Sequence, residues 1–384
     1  MTTTDFDYYL FGTHVVFGDG VSHSLAKELR DMGLGRPVVL TQARMAASGK
    51  YASLRATLAG LSLLEISTVP QHSSVSLIET IKEQALTFDP DCIVAIGGGS
   101  VSDSAKALAM LLAEGGKLAD HATVFTAAST VIVPHRNRPK LPIITIPTTA
   151  SGAEVTPSFG ISDSHEKILF WNRSLASRSI LIDPTLNEDV PLPLMHYTAM
   201  NGLAHCLEGL YSRNKLLVSN GLALQAMSLF IDALTDESLS EPEQRRTLLL
   251  AGHVSGMVLS MARSCLHHAI CHVIGARHGL GHGAINTVML PHTIRFNESA
   301  VSNDLSPVLD LINRQSARRV DSVSEWLSQL IQTLSLPDRL SAYGLTEQDL
   351  DAIASSTMKE RGLAFNPLPV KDVSQIKTIL RNAL

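Results

Sequence analysis

Six of the chain's fifteen histidines crowd one short stretch: His267, His268, His272, His278, His282 and His292. His268 and His272 are four residues apart and share a helix face. Asn201 and His205, in Asn201-Gly-Leu-Ala-His205-Cys-Leu-Glu208, do the same. Two such pairs converging with His282 would form an N/O site suited to Zn²⁺ or Fe²⁺. Without a metal, the same rings could supply a general acid and carbonyl-polarising donors. The plain alternative is a set of core histidines with satisfied hydrogen bonds.

A second candidate lies in the first half of the chain. Ile93-Val-Ala-Ile-Gly97-Gly98-Gly99-Ser100 reads as a buried strand running into three glycines, with a helical pattern over Val101–Leu112 behind it. Glycines at a strand-to-helix turn let backbone N–H groups approach a ligand, and the positive helix end favours phosphate. Ser100 and Asp103 also fit a Ser-x-x-Asp capping pattern, which needs no ligand. The run is neither a Gly-x-Gly-x-x-Gly fingerprint nor a Walker loop. Further on, Pro147-Thr148-Thr149-Ala-Ser151-Gly152-Ala-Glu154 follows another strand-like run. It offers hydroxyls and amides to a diphosphate or ribose, or simply caps the next element.

Particular elements must hold these groups. Pro37–Thr41, Leu61–Val69, Asp91–Ile96 and Leu141–Ile146 read as strands, with helical patterns over Ser22–Met32 and Ser74–Phe88. This alternation predicts a parallel sheet with helices on both faces. Lys167–Trp171 and Ser179–Asp183 read as a strand pair closing this half. After Asp183-Pro184 the strand signals nearly vanish. Helical patterns cover Pro193–Ser212, Val218–Leu234 and Glu241–Ala262 and continue to the C-terminus, with breaks at Pro191/Pro193, Asp236–Pro242, Pro291, Pro337 and Pro367. The expectation is an α/β Rossmann-like domain over residues 1–188 and an all-helical domain over 189–384, with a ligand cleft between them.

Composition bounds the function. The 384 residues are 45% hydrophobic, enough for a large core, and carry 31 basic against 36 acidic groups for a net charge of −5. That balance argues against a nucleic-acid partner. The N-terminus, Met-Thr-Thr-Thr-Asp-Phe-Asp, lacks the pattern of a secretory signal, and no uninterrupted apolar run reaches membrane-spanning length. Cys92, Cys206, Cys265 and Cys271 form no Cys-x-x-Cys pair. A cytoplasmic protein with reduced thiols is expected.

The motifs resemble those of the iron-containing (group III) alcohol dehydrogenase superfamily, most closely its maleylacetate reductase branch. Gly97-Gly-Gly-Ser-Val-Ser-Asp103-Ser-Ala-Lys106 is similar to the family's diphosphate loop, and Pro147 through Thr156 to its second cofactor loop. Leu266-His-His-Ala-Ile-Cys-His-Val-Ile-Gly275 and His282-Gly-Ala-Ile-Asn286 through Phe296-Asn297 are similar to its C-terminal histidine region. The resemblance implies a dinucleotide-binding domain followed by a helical one, a homodimer, and hydride transfer between NAD(P)H and a small carbonyl substrate. It places cofactor contacts at Gly97, Gly98, Gly99, Ser100, Asp103, Thr148, Thr149 and Ser151. It places the metal positions of the metal-dependent members at Asn201, His205, His268 and His282. The family's Asp is Asn201 here, so one negative charge is gone and divalent affinity should fall. Asn201 and the Leu-His-His…Cys-His run are similar to the maleylacetate reductases, which work without metal. His282-Gly-Ala-Ile-Asn286 is closer to the metal-dependent alcohol dehydrogenases.

The expected reaction is reduction of a ketone, keto acid or aldehyde without a catalytic metal. His272 or His268 would be the proton donor, His205 would stand beside them, and Arg263 and Arg277 would flank an anionic substrate. NAD-selective relatives carry Asp after the second strand; Gln42 with Arg44 stands there in this chain, so both NADH and NADPH are expected. The alternatives are an Fe/Zn-dependent alcohol dehydrogenase, a non-redox relative of the dehydroquinate synthase kind, and a cofactor-binding pseudoenzyme.

Overall fold

Near-continuous aliphatic runs make strands that can be buried on both faces, as parallel sheets require. The computed structural model describes residues 8–10, 12–126, 130–163, 166–316 and 318–384. Its strands are β1 (His14–Phe17), β2 (Pro37–Thr41), β3 (Leu64–Ile66), β4 (Cys92–Gly97), β5 (Val124–Thr126), β6 (Thr130–Ile132), β7 (Ile143–Pro147), β8 (Ser158–Asp163), β9 (Glu166–Trp171) and β10 (Ser179–Ile182). Six form a parallel sheet in the order β1-β10-β7-β4-β2-β3.

Side chains alternate across this sheet with the period of two that pleating dictates. Val38, Leu40, Ile93 and Ala95 face one side. There they meet Ile78 and Ile81 of α4 (Val75–Phe88) and Ala105 and Leu108 of α5 (Gly99–Glu114). Val39, Cys92, Val94 and Ile96 face the other side. Leu25 and Leu29 of α1 (Leu25–Asp31) pack there with Tyr51 and Leu54 of α3 (Gly49–Ala56), and the short α2 (Ala43–Ala46) adds Met45.

The expected pairing of Lys167–Trp171 with Ser179–Asp183 is not found. β9 pairs antiparallel with β8, and β10 instead joins the main sheet between β1 and β7. Phe159 and Phe170 stack across the β8–β9 hairpin with ring centroids 4.6 Å apart and reach the core. Burying that ring pair favours the hairpin over an edge pairing with β10.

The chain divides into two compact units, one made of Tyr9–Val124 and Val133–Pro191, the other built on Leu192–Leu384. The second unit is helical. It contains α6 (Leu192–Tyr211), α7 (Leu217–Thr235), α8 (Glu241–Met261), α9 (Leu266–His278), α10 (His282–Asn297), α11 (Ser302–Gln315), α12 (Val323–Thr333), α13 (Leu350–Thr357) and α14 (Val373–Asn382). Pro291 does not break the chain as expected but lies inside α10. It costs the Thr287 carbonyl a donor, yet Val288, Met289, Leu290 and Ile294 around it are buried, and that packing carries the helix through. α7 is long and apolar enough to cross a bilayer, but its Ala223, Met227, Phe230 and Ile231 are buried as in a core helix. All four cysteines are buried and none is in a disulfide.

α6 is buried on every side from Ala199 to Tyr211 and packs against α7, α8 and α10. A helix buried all round must be small wherever a neighbour crosses. At Gly202 an added Cβ would stand 2.3 Å from Cζ of the buried Phe230. Gly202→Ala should therefore overpack the α6–α7 crossing and cost about 1–3 kcal/mol. Urea denaturation checks this; an unchanged midpoint would refute it.

Candidate active site

The first candidate site belongs to the α/β unit. β4 and β7 are neighbours in register, with Gly97 opposite Pro147, so the loops that follow them emerge side by side. The Thr148 N–H donates to the Gly97 carbonyl at 3.0 Å. α5 starts at Gly99 with Gly98 as its N-cap, and no side chain caps it. The Ser100–Asp103 capping pair expected from the sequence is therefore not formed. Ser100 lies within the helix, and Asp103 turns away: its Oδ2 accepts the Gly160 N–H at 3.2 Å and its Oδ1 is 3.5 Å from Lys106 Nζ. A Cβ on Gly98 would come within 3.2 Å of Thr149, and one on Gly99 within 3.2 Å of Ser151 Oγ. Glycine is what lets this turn nest against the second loop.

Gln42 Nε2 donates to Ser100 Oγ at 3.3 Å, which puts Gln42 at the glycine turn, while Arg44 is exposed on α2. Lys106, which has no role in the sequence reading, is fully buried and donates to the carbonyls of Ala153 (2.6 Å) and Ser158 (3.1 Å), tying α5 to the second loop. Burial lowers its pKa, opposed by Asp103 and Glu154. The glycine turn fits a diphosphate: its backbone is bare and its helix start is uncapped by any side chain.

The second candidate site lies in the helical unit. Asn201 and His205 sit one turn apart on α6 and are both buried. α9 presents His268 and His272, and α10 begins with His282. α10 reaches α6 because Gly283 lies against the Tyr197 backbone, where a Cβ would be 2.8 Å from the carbonyl oxygen. Ring centroids are 5.1 Å apart for His205–His268, 6.0 Å for His268–His272, 5.9 Å for His268–His282 and 5.6 Å for His272–His282. His272 and His282 are half-buried, whereas His205 and His268 are buried.

His267 faces elsewhere. Its Nε2 is 2.6 Å from Asn286 Oδ1 and its Nδ1 is 3.2 Å from Thr293 Oγ1, so it serves the core. His278 lies on the last turn of α9, and His292 lies further along α10.

Glu208 is the group whose role the sequence did not reveal, although its motif was visible. It is fully buried on α6, accepts the His267 N–H on Oε1 at 2.8 Å, and holds His268 Nδ1 at 2.6 Å from Oε2. Backbone N–H groups of Cys265 and His268 converge on it too. Burial raises its pKa, and these donors oppose that rise.

Two arginines flank the start of α9. Arg263 is half-buried in the turn before it and makes no ion pair among the described residues. Burial lowers its pKa. Arg361, also half-buried, is lowered to about 10 by burial and then by the charge of Arg263. Its neighbour Gly362 lies against the Cys265 carbonyl, where a Cβ would stand at 2.3 Å. Glu360 Oε2 is 3.8 Å from His272 Nδ1. Arg277 is exposed at the other end of α9, and its charge is felt by Asp349.

The donors as arranged do not fit a divalent ion. Among the described residues, no three His, Cys, Asp or Glu side chains are placed to hold a metal. Asn201 brings an amide in place of a carboxylate, Glu208 is engaged by α9 and His268 Nδ1, and Glu360 lies beside His272, 3.8 Å from its Nδ1. The four positions Asn201, His205, His268 and His282 would themselves supply a divalent ion with no anionic ligand.

An α/β unit with a bare glycine turn, followed by a helical unit with clustered imidazoles, defines a two-part dehydrogenase. The iron-containing alcohol dehydrogenase family matches residues 12–184, and its C-terminal part, described as Fe-containing alcohol dehydrogenase family, C-terminal, matches residues 195–384. The chain belongs to this family and is an oxidoreductase acting on CH–OH or carbonyl groups with a nicotinamide cofactor. It is 28% identical to a maleylacetate reductase of Rhizobium sp. (strain MTP-10005), over 98% of this chain and 97% of that protein. It is 25% identical to an NAD-dependent methanol dehydrogenase of Bacillus methanolicus, over 96% and 97%. The crystal structure of maleylacetate reductase from Agrobacterium tumefaciens superposes with a TM-score of 0.82 at 26% identity, covering 99% of this chain and 98% of that one.

Burial favours the neutral form of several imidazoles. Burial depresses His205 well below its ordinary value, helped by His268 and His267. It brings His267 and His292 from 6.5 to about 4; at His292, Arg295 and Arg339 add to the effect and Asp338 opposes it. The unfolded chain takes up protons near pH 6.5, whereas the folded protein resists them to about pH 4. This contribution to stability is complete above pH 6.5 and is lost as pH falls toward 4. His292→Gln removes one such ring, so its Tm should fall less between pH 6.5 and 4.5 than that of the native protein. Thermal melts across this range check it; an equal or larger fall would refute it.

Proposed function

We propose that the protein uses NADH or NADPH to reduce the carbonyl of a carboxylate-bearing substrate, and that imidazoles take the place of a metal. The observation that carries this reading is the half-buried pair Arg263 and Arg361 at the start of α9, the helix that bears His268 and His272. Both guanidiniums carry positive charge to the start of this helix, and a substrate carboxylate would be attracted to it. The relatives named maleylacetate reductase support the same direction.

In this reading the Gly97–Ser100 turn, with Thr148, Thr149 and Ser151, holds the cofactor's diphosphate, and Gln42 and Arg44 lie toward its ribose. The reduced nicotinamide supplies a hydride to the carbonyl carbon. The carbonyl oxygen then carries a pair of electrons and needs one proton. His272, half-buried and next to His268 and His282, delivers it, and His268 and His205 line the site beside it. The replacement of the family's Asp by Asn201 supports a mechanism without metal. An oxo acid, whose carbonyl is activated, needs less help from a Lewis acid than a simple aldehyde does.

Steady-state assays with a panel of oxo acids and uncharged aldehydes test this. His272→Ala should lower kcat roughly 100-fold or more. Arg361→Met should raise KM for oxo acids and leave aldehyde turnover unchanged. Preference for aldehydes, together with stoichiometric iron or zinc in chelator-free protein, would overturn the reading in favour of a metal-dependent alcohol dehydrogenase. Cofactor choice is tested separately by fluorescence titration. No carboxylate stands at Gln42 to repel a 2′-phosphate, so NADH and NADPH should bind within about tenfold of each other. Arg44→Ala should weaken NADPH alone; strict NADH selectivity would refute this.

A further inference from the structure

Glu208 has a consequence beyond closing a helix. Its two oxygens do different work: Oε1 accepts the His267 backbone N–H at 2.8 Å, and Oε2 lies 2.6 Å from His268 Nδ1. Among the described residues it is a carboxylate with almost no exposed surface, placed where the first N–H groups of α9 point. Burial raises the Glu208 pKa, while the His267 ring, these N–H groups and the positive helix end pull the other way by stabilising the ionised form. An ionised carboxylate can only accept, so the partner nitrogen must be the donor. The ring of His268 also stands among those of His205, His272 and His282, within 5.1–6.0 Å of each.

We propose that Glu208 is a positioning residue that keeps the His268 proton on Nδ1, so that this imidazole meets the site through Nε2 with a lone pair rather than an N–H. The same contact locks the ring plane to the start of α9. His268 then acts on substrate as an acceptor, and the proton delivered to the carbonyl oxygen comes from His272. This division of labour rests on the proposed reductase reading; the tautomer does not.

Glu208→Gln separates the alternatives because the side chains are nearly isosteric. The amide has one acceptor oxygen, which the backbone N–H groups of α9 claim. Its NH₂ is left facing Nδ1 and must donate to it, which moves the ring proton to Nε2. Nitrogen-15 correlations of the histidine rings, with the His268 signal assigned by its loss in His268→Gln, read the tautomer directly. The native protein should show Nδ1–H and Glu208→Gln should show Nε2–H. In Glu208→Gln, kcat should fall on the order of 10–100-fold while the Kd for NADH stays unchanged. Glu208→Asp, which keeps two acceptor oxygens, should retain Nδ1–H and recover most of the lost turnover.

A native ring protonated on Nε2 overturns the proposal, as does an unchanged tautomer with kcat within twofold in Glu208→Gln. If Glu208→Gln does not fold, the native tautomer still decides the matter. If the native protein reduces no carbonyl in the panel, the reductase reading fails while the tautomer continues to test Glu208.

Discussion

A helix that starts away from water must find acceptors for its first N–H groups, and both candidate sites follow from how this requirement is met. In α9 it is met from within: Glu208 on α6 offers its carboxylate to the helix start. In α5 no side chain meets it, because the start is built from glycine and the nearby Ser100 and Asp103 are used elsewhere. The closed start orients imidazoles, and the bare one is shaped for an exogenous anion. Placing a capping side chain at Gly98 or Gly99 would satisfy α5 but press on Thr149 or Ser151.

The sheet explains why the glycine turn and the Thr148–Ser151 loop lie together. β4 and β7 are parallel neighbours, so both loops leave from carboxyl ends at the same edge, where α/β sheets bind ligands. The order β1-β10-β7-β4-β2-β3 also brings β2 next to β4, and with it Gln42 next to Ser100. Lys106 adds a second tie between α5 and the loop after β7. Its buried ammonium is tolerable because carbonyl oxygens and Asp103 surround it.

Much of this architecture was legible in local patterns. β2, β4 and β7 are short aliphatic runs between helical segments, and α6, α7 and α8 fall within a residue or two of their periodic stretches. What local patterns miss is partner choice. β9 and β10 are both strands, but the aromatic stack of Phe159 on Phe170 decides that β9 pairs with β8. Pro291 has a helix-breaking chemistry that surrounding burial overrides. The same limit applies to the site. His268, His272 and His282 stand out by spacing, whereas Glu208 sits in view inside its motif and acquires meaning only once α9 lies across α6. Arg361 is nearly a hundred residues from Arg263 in the chain, and the contacts of Gly362 and Phe365 with Cys265 bring their segments together.

Charge connects Asn201 to those arginines. An Asp with a divalent cation would give the imidazole cluster a net positive charge and a Lewis acid. Asn201 brings no charge to the cluster, and Arg263 and Arg361 bring positive charge to the start of α9, the helix that carries His268 and His272. A carboxylate about 4 Å from one guanidinium gains about 4 kcal/mol at an effective dielectric constant of about 20. A neutral aldehyde gains none of this. The substitution that weakens a metal's anchor thus stands in a chain that also places two half-buried guanidiniums at the start of α9.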